Sequence, residues 1–173
     1  MKLLQQKKLT LVLFSIYLLL LVLVVLFKLP FYSETLTVTR AINLIPFAGS
    51  YDESRVIVWS EIAYNMLLFV PLGIYICVLK SEWPFLKKIA PIICLTLAFE
   101  VIQFAFAIGI TDITDIMINT FGGIIGIAVF ALLFKIFKNK TIQIINTFSL
   151  AVTICIAARF CYLYYLSNFV MAQ

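Results

Sequence analysis

The sequence predicts an all-α fold, a polytopic membrane helix bundle of about five transmembrane helices with the N-terminus inside, the C-terminus outside and a long outer loop between helices one and two. Three observations predict it. Of 173 residues, 64% are hydrophobic and only 12% charged, against roughly a quarter charged in soluble domains. Mean hydropathy is +1.13. The apolar residues also gather into runs near the length that crosses a hydrocarbon core of about 30 Å, which takes about 20 helical residues. The chain reads as a single membrane domain, 1–173.

The first run, Leu9 to Phe27, contains no charge. It exceeds the apolar region of a signal peptide, about 7 to 15 residues, and KLPFYSE beyond it offers no small-residue cleavage site. It reads as an anchor, with no polar residue or small-residue motif that points to a site. The second run, Ile62 to Leu79, carries Asn65 in its outer half, with Pro71 and Gly73 expected to interrupt regular helix below it. The third, Ile89 to Ile108, carries Glu100 and Gln103 on one face. Counted from Ile89, Glu100 falls near mid-span, where an unpaired acid costs about 2.5 to 3.5 kcal/mol. Such a residue requires a polar partner, a proton or a water-filled cavity.

The fourth run, Ile116 to Phe134, follows TDITD, and the spacing of Asp112, Asp115 and Asn119 places them on one side of the helix. Acids at a helix N-terminus are favoured by the macrodipole and can simply cap. Asn119, a turn deeper, is not explained that way. Gly122 and Gly126 form a GxxxG step, which lets another backbone approach closely. The fifth run, Ile142 to Leu166, has Arg159 about 25 Å along the helix, where it can snorkel toward headgroups beside Tyr162, Tyr164 and Tyr165.

Orientation follows from the connections, since cytoplasmic flanks retain Lys and Arg. Lys2, Lys7 and Lys8 precede the first helix, Lys80, Lys87 and Lys88 lie between the second and third, and Lys135, Lys138 and Lys140 lie between the fourth and fifth. On the other side, Lys28, Arg40 and Arg55 are balanced by four acids across Lys28 to Glu61, and the turn between the third and fourth helices has no basic residue. These clusters account for the net charge of +5 by topology, and no aromatic or amphipathic basic platform for nucleic acid is present. Cys77, Cys94, Cys155 and Cys161 lie in or near spans without CxxC spacing, and the chain has no histidine. That argues against a disulfide framework, a zinc site or a Cys/His nucleophile and leaves the cysteines as small packing residues.

Within the outer loop, TRAINLIPFAG supplies Arg40 and Asn43, and its LIPF core is too apolar for a solvated tether and too short to span. It reads as an interfacial or re-entrant segment that lowers Arg40 toward the carboxylates. Arg40, Asn43, Asn65, Glu100, Gln103, Asp112, Asp115 and Asn119 then form an outward-facing polar pocket.

The pieces RAINLIPF, NMLLFVPLG, EVIQ and DITDIMINTFGGIIG, in that order, resemble the VanZ-like family over about Arg40 to Phe134. Helices 9–27 and 142–166 flank that core. Members often carry a basic residue a few positions before the first aspartate, where this chain has Ile108, Gly109 and Ile110. An anion contact made by that residue in other members is then either lost here or carried by Arg40. The resemblance implies a multi-pass protein of the bacterial cytoplasmic membrane, associated in some members with reduced susceptibility to teicoplanin and related lipoglycopeptides. On that basis the pocket is expected to bind a lipid-linked or surface ligand, with membrane lipids, a lipid-linked cell-wall precursor or a lipoglycopeptide as partners and no cofactor. Arg40 contacts an anionic headgroup, Asn65 and Asn119 supply neutral hydrogen bonds, and the carboxylates hold Arg40. The alternative is a membrane enzyme acting on a polyprenyl-phosphate-type lipid, in which Asp112 and Asp115 hold a divalent cation and Glu100 serves as acid or base. Nothing in the residues specifies the oligomeric state.

Overall fold

The computed structural model describes residues 2–27, 40–47, 59–107 and 109–166; the side chains of 2–4, 27, 40, 41, 109 and 110 lie outside the description. The elements in order are α1 (Lys2–Phe27), β1 (Arg40–Asn43), α2 (Trp59–Leu79), α3 (Phe85–Phe106), β2 (Gly109–Asp112), α4 (Ile113–Phe137), a 3-10 turn (Lys138–Lys140) and α5 (Thr141–Tyr165). Among the described residues, four stretches are long and apolar enough to cross a membrane: Gln5–Leu26, Trp59–Leu79, Phe85–Phe106 and Ile113–Tyr165. The last is 53 residues long, and the 3-10 turn divides it into α4 and α5. Lys138 adopts a φ of 48° there, a left-handed backbone that does not continue a helix.

The helices start earlier than the apolar runs. Helix α3 takes in Lys87 and Lys88 in its first turn, where a long basic side chain can keep its charge outside the apolar zone. It ends at Ala107, whose φ of 53° supplies a left-handed C-cap. Glu100 therefore sits about 9 Å from the end of α3, nearer the terminus than the expected mid-span. Helix α2 runs unbroken through Pro71, correcting the expected interruption.

Neighbouring helices alternate in direction. Tyr17 of α1 donates to the carbonyl of Leu68 at 2.7 Å, and Phe14 packs on Tyr75 with ring centroids 5.3 Å apart, so α1 and α2 are antiparallel. Asn119 faces Thr96 and Gly123 faces Ile92, so α3 and α4 are antiparallel as well. Helices α2 and α4 run side by side in parallel. A Cβ on Gly122 would collide with the carbonyl oxygen of Met66, and one on Gly126 with that of Val70, so both contacts advance by four residues together. Gly73 meets the Gly123 carbonyl in the same seam, a backbone-to-backbone approach of the kind small residues permit.

The apolar core joins α1, α2 and α3 through Leu21, Leu26, Phe69, Leu72, Ile76, Ile92 and Phe99. Phe69 and Phe99 meet edge to face with centroids 6.2 Å apart, a favoured aromatic geometry. Helix α5 is attached differently. The Thr10 hydroxyl donates to Asn146 Oδ1 at 2.9 Å, and Asn146 Nδ2 donates to the Gln6 carbonyl and Oε1 at 3.0 and 2.9 Å. Thr10 and Asn146 are fully buried. Most of α5 beyond this point is exposed, Arg159 included.

At the same end, Lys80 lies over the Trp83 ring at 5.3 Å, and Lys88 Nζ donates to the Ser81 carbonyl. The Glu82 carboxyl is held below the usual carboxylate range first by its own backbone N–H, then by the Ser81 hydroxyl and by Lys80 and Lys7. Of the cysteines, Cys77 is buried and packs as expected, whereas Cys94, Cys155 and Cys161 are exposed and play no core role.

Candidate functional site

The polar residues collect at the opposite end, around a short sheet. β1 pairs in parallel with β2, with Arg40 opposite Gly109 and Asn43 opposite Asp112. This pairing draws the segment after α1 across the turn that joins α3 to α4. Each of its strands has only four residues, so side chains at both ends reinforce it. Asn43 Nδ2 donates to Asp112 Oδ2 at 3.0 Å. Asn43 Oδ1 accepts the Ile45 N–H at 3.2 Å, turning the chain, and the Phe47 N–H donates to Thr114 Oγ1 at 2.8 Å. Phe47 has a φ of 64°, a left-handed conformation uncommon for a bulky side chain.

Asp112 is the N-cap of α4, extended at φ −123° and ψ 125°, and its Oδ1 accepts the Thr114 N–H at 2.8 Å. Capping by Asp is favoured because the first N–H groups of a helix lack internal partners. Asp112 therefore stands before the helix rather than on its face, a correction to the expected alignment with Asp115 and Asn119. Its second oxygen is taken by Asn43.

Glu100 lies beneath this sheet, 3% exposed. Its Oε2 accepts the Asp112 N–H at 3.0 Å, and its carbonyl accepts the Thr111 hydroxyl at 3.2 Å. The carboxylate thus fixes β2 as the chain folds back along α3. A bond to a charged acceptor is worth about 1.5 to 3 kcal/mol, comparable with the insertion cost of an acid at a helix centre. Asp115, in the first turn of α4, accepts from Asn65 Nδ2 at 2.7 Å, a short charge-assisted bond between α2 and α4. Deeper still, Asn119 Nδ2 donates to Thr96 Oγ1 at 3.0 Å, both residues being buried. Asn119 Oδ1 and Thr120 Oγ1 are buried without a hydrogen-bond partner.

The structure thus brings Asn43, Glu100 and Asp112 into one network, with Asn65–Asp115 and Asn119–Thr96 on the flank facing α2 and α3. Gln103 is not part of it: its Nε2 donates to the Val25 carbonyl of α1 at 3.1 Å. The amide nitrogens of Asn65 and Asn119, expected to meet a ligand, are bonded within the protein. Arg40 is placed by its backbone in β1, and the expected approach of its side chain to the carboxylates lies outside the described residues, as does most of the outer loop. Exposure is graded: Asn43, Asn65, Asp112 and Asp115 are half-buried, while Glu100, Asn119 and Thr96 are buried below them.

Thr96, Thr111 and Thr114 also belong to the network, and sequence reasoning passed over them. Thr96 lies one helical turn from Glu100, and Thr114 two residues after an N-cap aspartate, so spacing alone held a signal. A cavity of about 530 Å³ opens beside the network between α2 and α4, lined by Phe47, Trp59, Ile62, Met66, Ile118 and Phe121. Its wall is almost wholly apolar.

Protein VanZ of Enterococcus faecium is 38% identical to this chain over 135 residues, 76% of this chain and 79% of that one. No solved structure matches. The VanZ/LLP1 family matches residues 14–138, which extends the resemblance read from Arg40 to Phe134 upstream into α1 and leaves α5 beyond it. The chain belongs to the VanZ/LLP1 family.

Proposed function

We propose that this is a multi-pass protein of the bacterial cytoplasmic membrane that lowers susceptibility to teicoplanin and related lipoglycopeptides through an outward-facing polar site. Five helices span, with the N-terminus and the lysine-rich end inside and the C-terminus outside. The site binds a lipid-linked or surface ligand and alters access of the antibiotic to its target. Family membership supports the antibiotic association. The observation that carries the site is the graded carboxylate network, with Asp112 and Asp115 half-buried at the rim and Glu100 buried beneath.

In this reading the network is a preorganised frame. Asn43 and Asn65 orient the rim aspartates, and Glu100 holds the strand that carries Asp112. Arg40, at the head of β1, supplies the positive charge that meets an anionic group of the ligand. The enzymatic alternative has no observation in its favour. Both Asp112 oxygens accept hydrogen bonds from the protein, and among the described residues no group of three His, Cys, Asp or Glu side chains is placed to hold a metal ion.

The test is teicoplanin susceptibility of cells carrying Arg40→Ala, Glu100→Gln or Asp115→Asn at matched membrane expression. Each substitution is expected to restore susceptibility. Unchanged susceptibility in all three removes the polar site from the mechanism.

A further inference from the structure

The apolar cavity between α2 and α4 has a definite shape. Its floor is the level of Met66, where the Gly122 backbone touches α2 so closely that no Cβ fits between them. Above that level Ile62 and Met66 face Ile118 and Phe121 across the opening, with exposed Trp59 at the rim. Phe47 enters from the outer segment and is fixed there by its N–H bond to Thr114. The same two helices carry polar groups on the groove's side: Ile62 lies three residues before Asn65 and Ile118 three residues after Asp115, spacings that share a helix face, and Asn65 and Asp115 are bonded to each other. A polar rim and an apolar trough are therefore contiguous, at the end of the molecule that carries the network.

We infer that this groove holds a hydrocarbon chain of an outer-leaflet phospholipid, whose polar end lies at the rim formed by Asn43, Asn65 and Asp115. The inference rests on the outward orientation proposed above. The groove opens on the flank of two helices that cross the membrane, so the medium that meets it is lipid. The groove is open on one side, its wall is almost wholly apolar, and its volume of about 530 Å³ lies within the range of small-molecule sites, about 300 to 1,000 Å³. The juxtaposition of amide and carboxylate groups with the trough matches an amphiphile rather than a free polar solute. It also gives the network its ligand class: a molecule with a chain, recognised at the point where chain meets headgroup.

Tryptophan fluorescence tests this directly. The chain has two tryptophans, so Trp83→Phe, a change in the α2–α3 turn, leaves Trp59 as the sole reporter. The full-length purified variant in detergent is titrated with phosphatidylcholine brominated on its acyl chains, a probe without net charge. Trp59 emission is expected to fall in a saturable way near one lipid per protein, and unbrominated lipid to reverse the loss. Ala63 lines the groove, and Ala63→Phe in the same background is expected to weaken the titration by more than about tenfold, because displacing even two buried methylenes has that effect. Where Ala63→Phe does not fold, reversal by unbrominated lipid decides alone. Quenching that rises without saturation, is not competed, or is unchanged in the folded Ala63→Phe variant overturns the inference. Saturable quenching beside unaltered teicoplanin susceptibility in the network variants would sink the functional reading and leave the groove standing; the reverse pattern would sink the groove only.

Discussion

At the scale of single residues, what matters is which neighbour can yield. A methyl added at Gly122 or Gly126 meets a backbone carbonyl of α2, which cannot move without moving the helix. One added at Gly123 meets Cδ1 and Cγ2 of Ile92 at 2.6 and 2.7 Å, and a side chain can turn partly aside. Gly122→Ala and Gly126→Ala are therefore expected to lower the melting temperature in detergent more than Gly123→Ala, the first two at the upper end of the about 1 to 3 kcal/mol typical of overpacking. Equal effects at all three would mean that the α2–α4 seam is looser than its geometry. The Asn65–Asp115 bond is the second residue-scale test. A double-mutant cycle with Asn65→Ala and Asp115→Ala is expected to give a coupling of about 0.6 to 1.7 kcal/mol, between the average and the largest value for hydrogen bonds between membrane helices. Additive losses would show that the two side chains act apart. Sequence pattern pointed to these residues because an acid or amide inside an apolar run has few cheap explanations. It did not point to their partners. Asp112 carries the same formula as Asp115, yet one caps α4 and the other bridges to α2, a difference set by where the helix begins.

Elements differ in how they are held, and so in how they come loose. Helices α2 and α4 share a backbone seam, whereas α5 hangs on α1 through half-buried Gln6 and buried Thr10 and Asn146. Asn146→Ala removes its bonds to the Thr10 hydroxyl, which keeps the Gln6 carbonyl, and to half-buried Gln6, at a cost of about 0.5 to 1.5 kcal/mol for each bond lost. Amide hydrogen exchange is expected to quicken along α5 and to stay unchanged in α2 and α4; uniform quickening would show that α5 supports the whole bundle. The apolar runs announced the helices, since little else is built from such stretches. Their ends were less legible because lysines at a helix start look like loop. The β1–β2 pair left no trace in pattern: four residues are too few to show alternation, and Arg40 and Gly109 lie far apart in sequence. The α1–α5 cluster was hidden for a related reason, Gln6 and Thr10 reading as the polar edge of an anchor until Asn146 is placed against them.

The molecule as a whole is polar at both ends in different ways. One end gathers lysines around a single acid, Glu82, and the other gathers carboxylates and amides around a two-stranded sheet. The proposed orientation, which rests on the retention of Lys and Arg on the cytoplasmic side, puts the first end inside and the network outside. The proposed function requires that assignment, because an antibiotic that acts at the cell surface meets only the outer end. Under the same proposal the apolar groove faces the outer side.

The most direct test is labelling of single cysteines in intact cells, with Cys77, Cys94, Cys155 and Cys161 replaced by alanine. Asn43→Cys and Asp115→Cys are each exposed to a membrane-impermeant thiol reagent, with Ser81→Cys in the lysine-rich turn as the inner control. The account predicts that positions 43 and 115 react from outside and position 81 only after the membrane is opened. Labelling of position 81 from outside, or failure of both 43 and 115 to react until the protein is denatured, would contradict it.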